Sequence, residues 1–181
     1  QRPVFWQTKD KDGNITLGMI QEALPITLLI NVLSLALIIM IALPLGVISA
    51  LKQNQLADRA ITIFVFIGFA IPGFWLALML MYWTGVQHHW LPISGLQSMG
   101  SEHLSWFAQT IDFIKHLILP VFISAITGLA GISLFTRNGM LEVLHQDYIT
   151  TARSKGLSEN RVVYGHALRN ALLPLITLLG L

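Results

Sequence analysis

An all-α bundle of membrane-crossing helices is the fold class this sequence predicts, and three observations carry it. Hydrophobic residues make up 54% of the chain and charged residues only 11%, against about 25% charged in soluble domains. The charges are segregated: no Asp, Glu, Lys or Arg occurs in 23–51, in 60–101 or in 116–136. Each run reaches the roughly 20 mainly apolar residues that a helix needs to cross a hydrocarbon core about 30 Å thick.

The elements follow in order. Residues 1–22 are polar, with an Asp-Gly turn signal in "KDKDGN" at 9–14, and read as the end of an external segment. The membrane part is 23–181. Its first span is expected at about 23–51, with Pro25 in the first helical turn, where its missing N–H costs nothing, and with Pro44 kinking the helix. "KQNQLADR" at 52–59 is a short polar connection. The second span, about 60–83, is interrupted by "IPG" at 71–73. The plain reading of Pro72 and Gly73 is an ordinary proline kink; the sharper one is a broken helix lining a substrate route. Residues 84–112 form a longer connection, in which Trp83, Trp90 and Trp106 fit an interfacial aromatic belt. Adjacent His88 and His89 point to different faces and find no third ligand at a suitable spacing, so no metal is expected. The third span is expected at about 113–136, closed by Arg137, with Ser124, Ala125, Gly128, Ala130 and Gly131 allowing close helix packing. A polar segment, 137–170, precedes a truncated fourth span at 171–181. The apolar pattern is cut off there, and the sequence opens at "QRPVFWQ" without methionine, so a longer polypeptide is expected.

Charge sets the expected orientation. The 52–59 connection holds Lys52 and Arg59; the 137–170 connection holds Arg137, Arg153, Lys155, Arg161 and Arg169; 84–112 holds none. The basic excess places 52–59 and 137–170 together on the cytoplasmic side. The net charge of +2 includes no basic run of the kind that binds nucleic acid. The chain has no cysteine, which excludes a disulfide framework and a cysteine-based metal site.

The polar segment has internal structure of its own. Leu141, Leu144, Tyr148 and Ala152 recur at helical spacing and predict one amphipathic helix. Gly156 should end it in the left-handed conformation, with Arg153 and Lys155 complementing the negative helix end. Ser158 is a candidate N-cap for a second helix running to about Leu173, with Glu159 at its first position and Leu157 and Val162 at the hydrophobic-staple positions. A stiff helix–turn–helix at a membrane surface can lie in the lipid interface, pack back on its bundle or dock into a groove of a soluble partner; periodicity leaves all three open.

The stretch "TTARSKGLSENRVVYGHALRNALLPLIT", beginning at Thr150, closely resembles the cytoplasmic EAA-type loop of ABC-importer permeases, in the branch serving dipeptides, oligopeptides and nickel. "TARSKGLS" and "HALRNALLP" stand almost unchanged from the pattern of that branch, while Thr150 and Thr151 depart from the general Glu-Ala pair. Weaker agreement covers "LPITL" at 24–28 and "IPGFW" at 71–75. The resemblance implies a type I ABC-importer permease fold whose visible spans are the second to fourth of six. It implies a subunit of an ATP-driven importer with di- or oligopeptides as cargo, and with nickel or another small solute as the alternative within the family. It also implies that residues 147–174 couple the subunit to a separate ATPase, with Thr151, Ala152, Arg153, Lys155, Gly156 and Leu157 making the coupling contact. Implied partners are ABC ATPase subunits, a second homologous permease, an extracytoplasmic substrate-binding protein and the lipid bilayer of a bacterial or archaeal cell membrane. No cofactor is expected on this chain: no G-x-x-x-x-G-K-[ST] phosphate loop occurs, so ATP would be bound by the partner. An ion-coupled transporter is a less favoured reading, because such proteins usually carry ionisable groups within their spans. An enzyme is not expected, since no nucleophile–base or metal set stands at membrane depth.

Overall fold

A computed structural model describes residues 17–179, and every regular element among them is helical. The external segment expected at 1–22, with its turn at 9–14, lies outside the described residues up to residue 16. The first helix, α1, spans Leu17–Leu51. It therefore starts before Pro25, which sits inside the helix and not in its first turn, and it runs without a break through Pro44. A short turn leads to α2, Leu56–Ala70, so the polar connection is shorter than 52–59.

The "IPG" interruption is a break and not a simple kink. Ile71 (φ −78°, ψ 121°) and Pro72 (φ −59°, ψ 129°) are both extended. The proline ring disfavours helical geometry in the residue before it. The next helix, α3, Gly73–Leu80, starts afresh, with Leu76 N–H donating to the Pro72 carbonyl at 3.0 Å. The two segments meet at 87°. Beyond α3 the chain widens into a π-helix, Met81–Gln87. The following loop folds back on it: the Thr84 carbonyl accepts from the N–H groups of Trp90 (2.7 Å) and Leu91 (3.3 Å). Trp83 packs edge-on against Trp90, and His88 stacks on Trp90.

Helix α4, Trp106–Leu144, has 39 residues and so a length of about 58 Å. That exceeds the hydrocarbon core by a wide margin, so Arg137 lies inside the helix and does not close it. Helices α1 and α4 are long and apolar enough to cross a membrane, and the bent pair 56–70 with 73–87 makes up to three crossings. Large apolar side chains such as Met40, Phe64, Phe69 and Phe74 are exposed, as expected of helices whose solvent is lipid.

Helices α1 and α4 form the central pair. Gly46 allows the closest approach, since a Cβ there would stand 2.7 Å from the Ser133 carbonyl and 2.6 Å from the Thr136 Cβ. Gly128 does the same against Ile38, whereas Gly131 meets nothing and Ser124 is exposed. Ser34 on α1 donates to the Val121 carbonyl of α4 at 3.3 Å. Ala42, Val65, Leu129 and Ala130 fill the junction of α1, α2 and α4, and Gly73 brings α3 against Thr127.

One polar network joins three of these helices. Asp58 on α2 is 4% exposed. Its Oδ1 and Oδ2 accept from Arg137 Nε and Nη2 of α4, each at 2.9 Å. Ser49 of α1 donates to the same carboxylate and accepts from Arg137 Nε at 3.1 Å. The Asn54 N–H adds a fourth bond at 2.9 Å, from a residue with φ 64°. The carboxylate's acceptor sites are thus filled.

Candidate functional site

The polar segment after α4 is a hairpin built in two steps. The helix does not continue from Leu141 and Leu144 to Tyr148 and Ala152. It ends at Leu144; Gln146 is extended (φ −76°, ψ 147°), and a separate helix, α5, spans Asp147–Ser154. The helical spacing survives the break because Leu141, Leu144 and Ala152 still address one core, which is why periodicity alone reads a single helix; Tyr148 is exposed. Asp147 in the first turn and Arg153 in the last match the helix dipole.

Gly156 closes α5 in the left-handed region, with φ 78°. Its N–H donates to the Arg153 carbonyl at 2.9 Å, and the Leu157 N–H reaches back to the Ala152 carbonyl at 3.4 Å. This pair of bonds is the Schellman arrangement, which satisfies carbonyls a helix end would otherwise leave orphaned. The Ser158 carbonyl then accepts from Arg161 and Val162 at 2.9 and 3.0 Å, starting the return helix. Ser158 therefore stands at the expected boundary, but its backbone makes the contacts, and no side-chain cap is formed there. Glu159 instead grips Arg153 with two bonds, at 2.7 and 3.2 Å. The Arg153 guanidinium holds the Glu159 carboxyl below its ordinary value, and the carboxylate raises Arg153 in turn. The return helix is π-helical over Arg161–Ala167 and continues as α6, Leu168–Ala171. The last described helix, α7, is Leu173–Leu179. Asn170 donates to the Tyr148 hydroxyl at 2.7 Å, tying the two arms together.

The inner face of the hairpin is welded to the bundle. Ile149, Ala152, Val162, Val163, Ala167 and Ala171 share one apolar cluster with Val47 and Ala50 of α1 and Met140 of α4, and Leu157 packs on it. The hairpin thus packs back on its own bundle with one face, and its other face is exposed among the described residues.

The six coupling candidates divide accordingly. Thr151, Arg153, Lys155 and Gly156 are exposed on the outer face. Ala152 is 9% exposed and Leu157 half-buried, so these two hold the outer face in place from beneath and do not present it. Pro72 and Gly73 are not brought near the hairpin. They stand at the far end of α2, beside an apolar hollow lined by Phe64, Gly68, Ile71, Leu76, Ile126 and Leu129. Among the described residues no cluster of three or more His, Cys, Asp or Glu could hold a metal. Sequence reasoning missed the Asp58–Arg137–Ser49 network. Two opposite charges at the ends of different spans were the available signal.

The family described as "Binding-protein-dependent transport system inner membrane component" matches residues 42–181. Among curated proteins, the oligopeptide transport system permease protein AppB of Bacillus subtilis is 46% identical over 171 residues, covering 94% of this chain and 52% of the relative. The di/tripeptide transport system permease protein DppB of Pseudomonas aeruginosa is 36% identical, covering 99% of this chain and 62% of the relative. The inner membrane ABC transporter permease protein YejB of Escherichia coli O157:H7 is 33% identical, covering 88% and 44%. The chain spans about half the length of the curated relatives it matches.

Proposed function

Because this chain belongs to the family of binding-protein-dependent transport system inner membrane components, we propose that it is the membrane-crossing part of a permease subunit in an ATP-driven importer of di- or oligopeptides. The observation that carries this reading is the hairpin: a rigid two-helix projection, anchored by an apolar core to α1 and α4, with an exposed polar outer face. A surface so held suits the docking of a soluble partner that pushes on the bundle. Thr151, Arg153, Lys155 and Gly156 make the contact with a separate ATPase subunit, and Ala152 and Leu157 fix their positions. The exposed Arg153 and Lys155 charges serve encounter and register more than affinity. Pro72 and Gly73 line the route, where the broken helix frees backbone groups.

The chain's role is transport, with ATP bound and hydrolysed by the partner. A second, homologous permease subunit completes the pathway, and an extracytoplasmic binding protein delivers cargo at a bacterial or archaeal cell membrane. Peptide cargo is carried over from the transport roles that AppB and DppB are named for. The test is reconstitution of the full-length subunit with its ATPase and binding protein in proteoliposomes. ATP-dependent uptake of a labelled tripeptide is expected. Uptake of nickel and not peptide, or uptake driven by an ion gradient without the ATPase, would overturn the assignment.

A further inference from the structure

We propose that Asp58 and Arg137 are positioning residues for transport: their ion pair carries displacement of the coupling hairpin into α2 and so to the break at Ile71–Gly73. The inference rests on the ATPase-docking reading of the hairpin and extends it to a buried ion pair outside the hairpin.

Two short stretches of helix serve both the hairpin and α2. The apolar core beneath the hairpin takes Val47 and Ala50 from α1 and Met140 from α4. The polar network takes Ser49 from the same turn of α1 and Arg137 from the preceding turn of α4. Thus 47–50 and 137–140 serve the hairpin with apolar side chains and α2 with polar ones. Gly46, pressed against Ser133 and Thr136 just beyond, keeps α1 and α4 together at this level.

The chemistry of the joint determines what it transmits. Apolar contacts slide past one another with little directional preference. A bidentate Arg–carboxylate pair fixes distance and orientation together. Here the carboxylate is buried and accepts four bonds from two helices and a turn. Separating the pair would leave an uncompensated buried charge. Helix α2 must therefore follow α1 and α4 when they tilt, at the end where Asp58 sits. The opposite end of α2 is the 87° break, where the extended residues 71 and 72 can absorb a change of angle. A tilt imposed at Asp58 is thereby delivered as a change in the angle between α2 and α3.

The test uses the full-length subunit reconstituted with its ATPase and binding protein, and reads peptide transported per ATP hydrolysed. Asp58→Leu combined with Arg137→Met replaces the pair by apolar side chains, a change that often leaves stability intact. The expected result is a complex that retains its ATPase but moves about fivefold to tenfold less peptide per ATP. Arg137→Lys keeps the charge and loses the two-pronged geometry, and should lower the ratio less. A ratio within about twofold of wild type for both variants overturns the proposal, whatever the yield of complex, because a purely structural pair changes the amount of protein and not its stoichiometry. If the apolar pair does not assemble, the Arg137→Lys ratio decides alone: lowered supports the proposal, unchanged overturns it. A wild-type complex that neither retains an ATPase nor moves peptide would refute the docking reading itself, a failure distinct from that of the ion pair.

Discussion

Gly156 is the position where the structure makes the sharpest statement about a single side chain. Its φ of 78° lies in the left-handed region, and a Cβ added there would meet no heavy atom within 4 Å. Substitution therefore costs backbone strain alone within this chain. That cost is about 1–2 kcal/mol for an ordinary side chain and falls at the upper end for a β-branched one. Asparagine visits this region far more readily, and Asn54 of the same chain does so at φ 64°. Gly156→Val should loosen the Schellman turn and shift its opening equilibrium by a factor of about 5 to 30. Amide exchange across 152–157 in the full-length subunit should accelerate by that factor, while the spans, whose insertion depends on apolar length, remain protected. Gly156→Asn should exchange nearly as wild type. Stimulated ATP hydrolysis and uptake, measured with both variants, then separate two causes. Loss with valine alone assigns the effect to backbone strain; loss with both means that a partner's surface comes close to the Gly156 Cα. Exchange and uptake of the valine variant within twofold of wild type would refute the reasoning.

Other outcomes follow from the same geometry. Gly46→Ala forces a methyl to within 2.6–2.9 Å of Ser133 and Thr136 and should destabilise the α1–α4 pair by about 1–3 kcal/mol, read as a lower thermal midpoint in detergent, whereas Gly131→Ala, which meets nothing, should leave it unchanged. The Arg153–Glu159 bond lowers the carboxyl below its ordinary value of 4.5, so its contribution is present at neutral pH and above 4.5 and is lost as pH falls through the depressed value. Exchange protection around 153–160 should accordingly be flat from neutral pH to about 5 and decline in more acid buffer, with the contribution reduced at high salt because both side chains are largely solvated. Single cysteines at the exposed positions Met99 and Ser158 should label from opposite sides of intact cells, Ser158 from the cytoplasm; labelling of Ser158 from outside would reverse the orientation.

The spans were legible because a long charge-free run is hard to keep in any chain that does not cross a bilayer, although α1 starts at Leu17, ahead of the run that begins at Ala23. The hairpin turn was legible because glycine at a helix end has a specific conformational use, which Gly156 fulfils. What stayed hidden was contact between distant residues. Asp58 and Arg137 stand 79 positions apart, and nothing local to either marks the other as its partner. Ala152 lies on the face that periodicity marks, but on a separate helix: the break at Gln146 turns α5 so that Ile149 and Ala152 join Met140 in one core. That break was invisible because apolar spacing runs straight across it. The choice between kink and break at Pro72 was likewise set by packing: Gly73 docks against Thr127, and α3 leaves at an angle that its own composition does not encode.

Docking of the ATPase on the outer face of the 147–171 hairpin is the proposal on which the others depend. Photocross-linking tests it most directly, with a photoreactive side chain placed in turn at Thr151, Lys155 and Gln53 of the full-length subunit in its assembled complex. Thr151 and Lys155 should each yield a cross-linked product containing the ATPase, in greater amount than Gln53, and excess Arg153→Glu, Lys155→Glu subunit should compete poorly for it. A product from Gln53 with none from Thr151 or Lys155 would contradict the proposal and move the docking surface to the turn between α1 and α2.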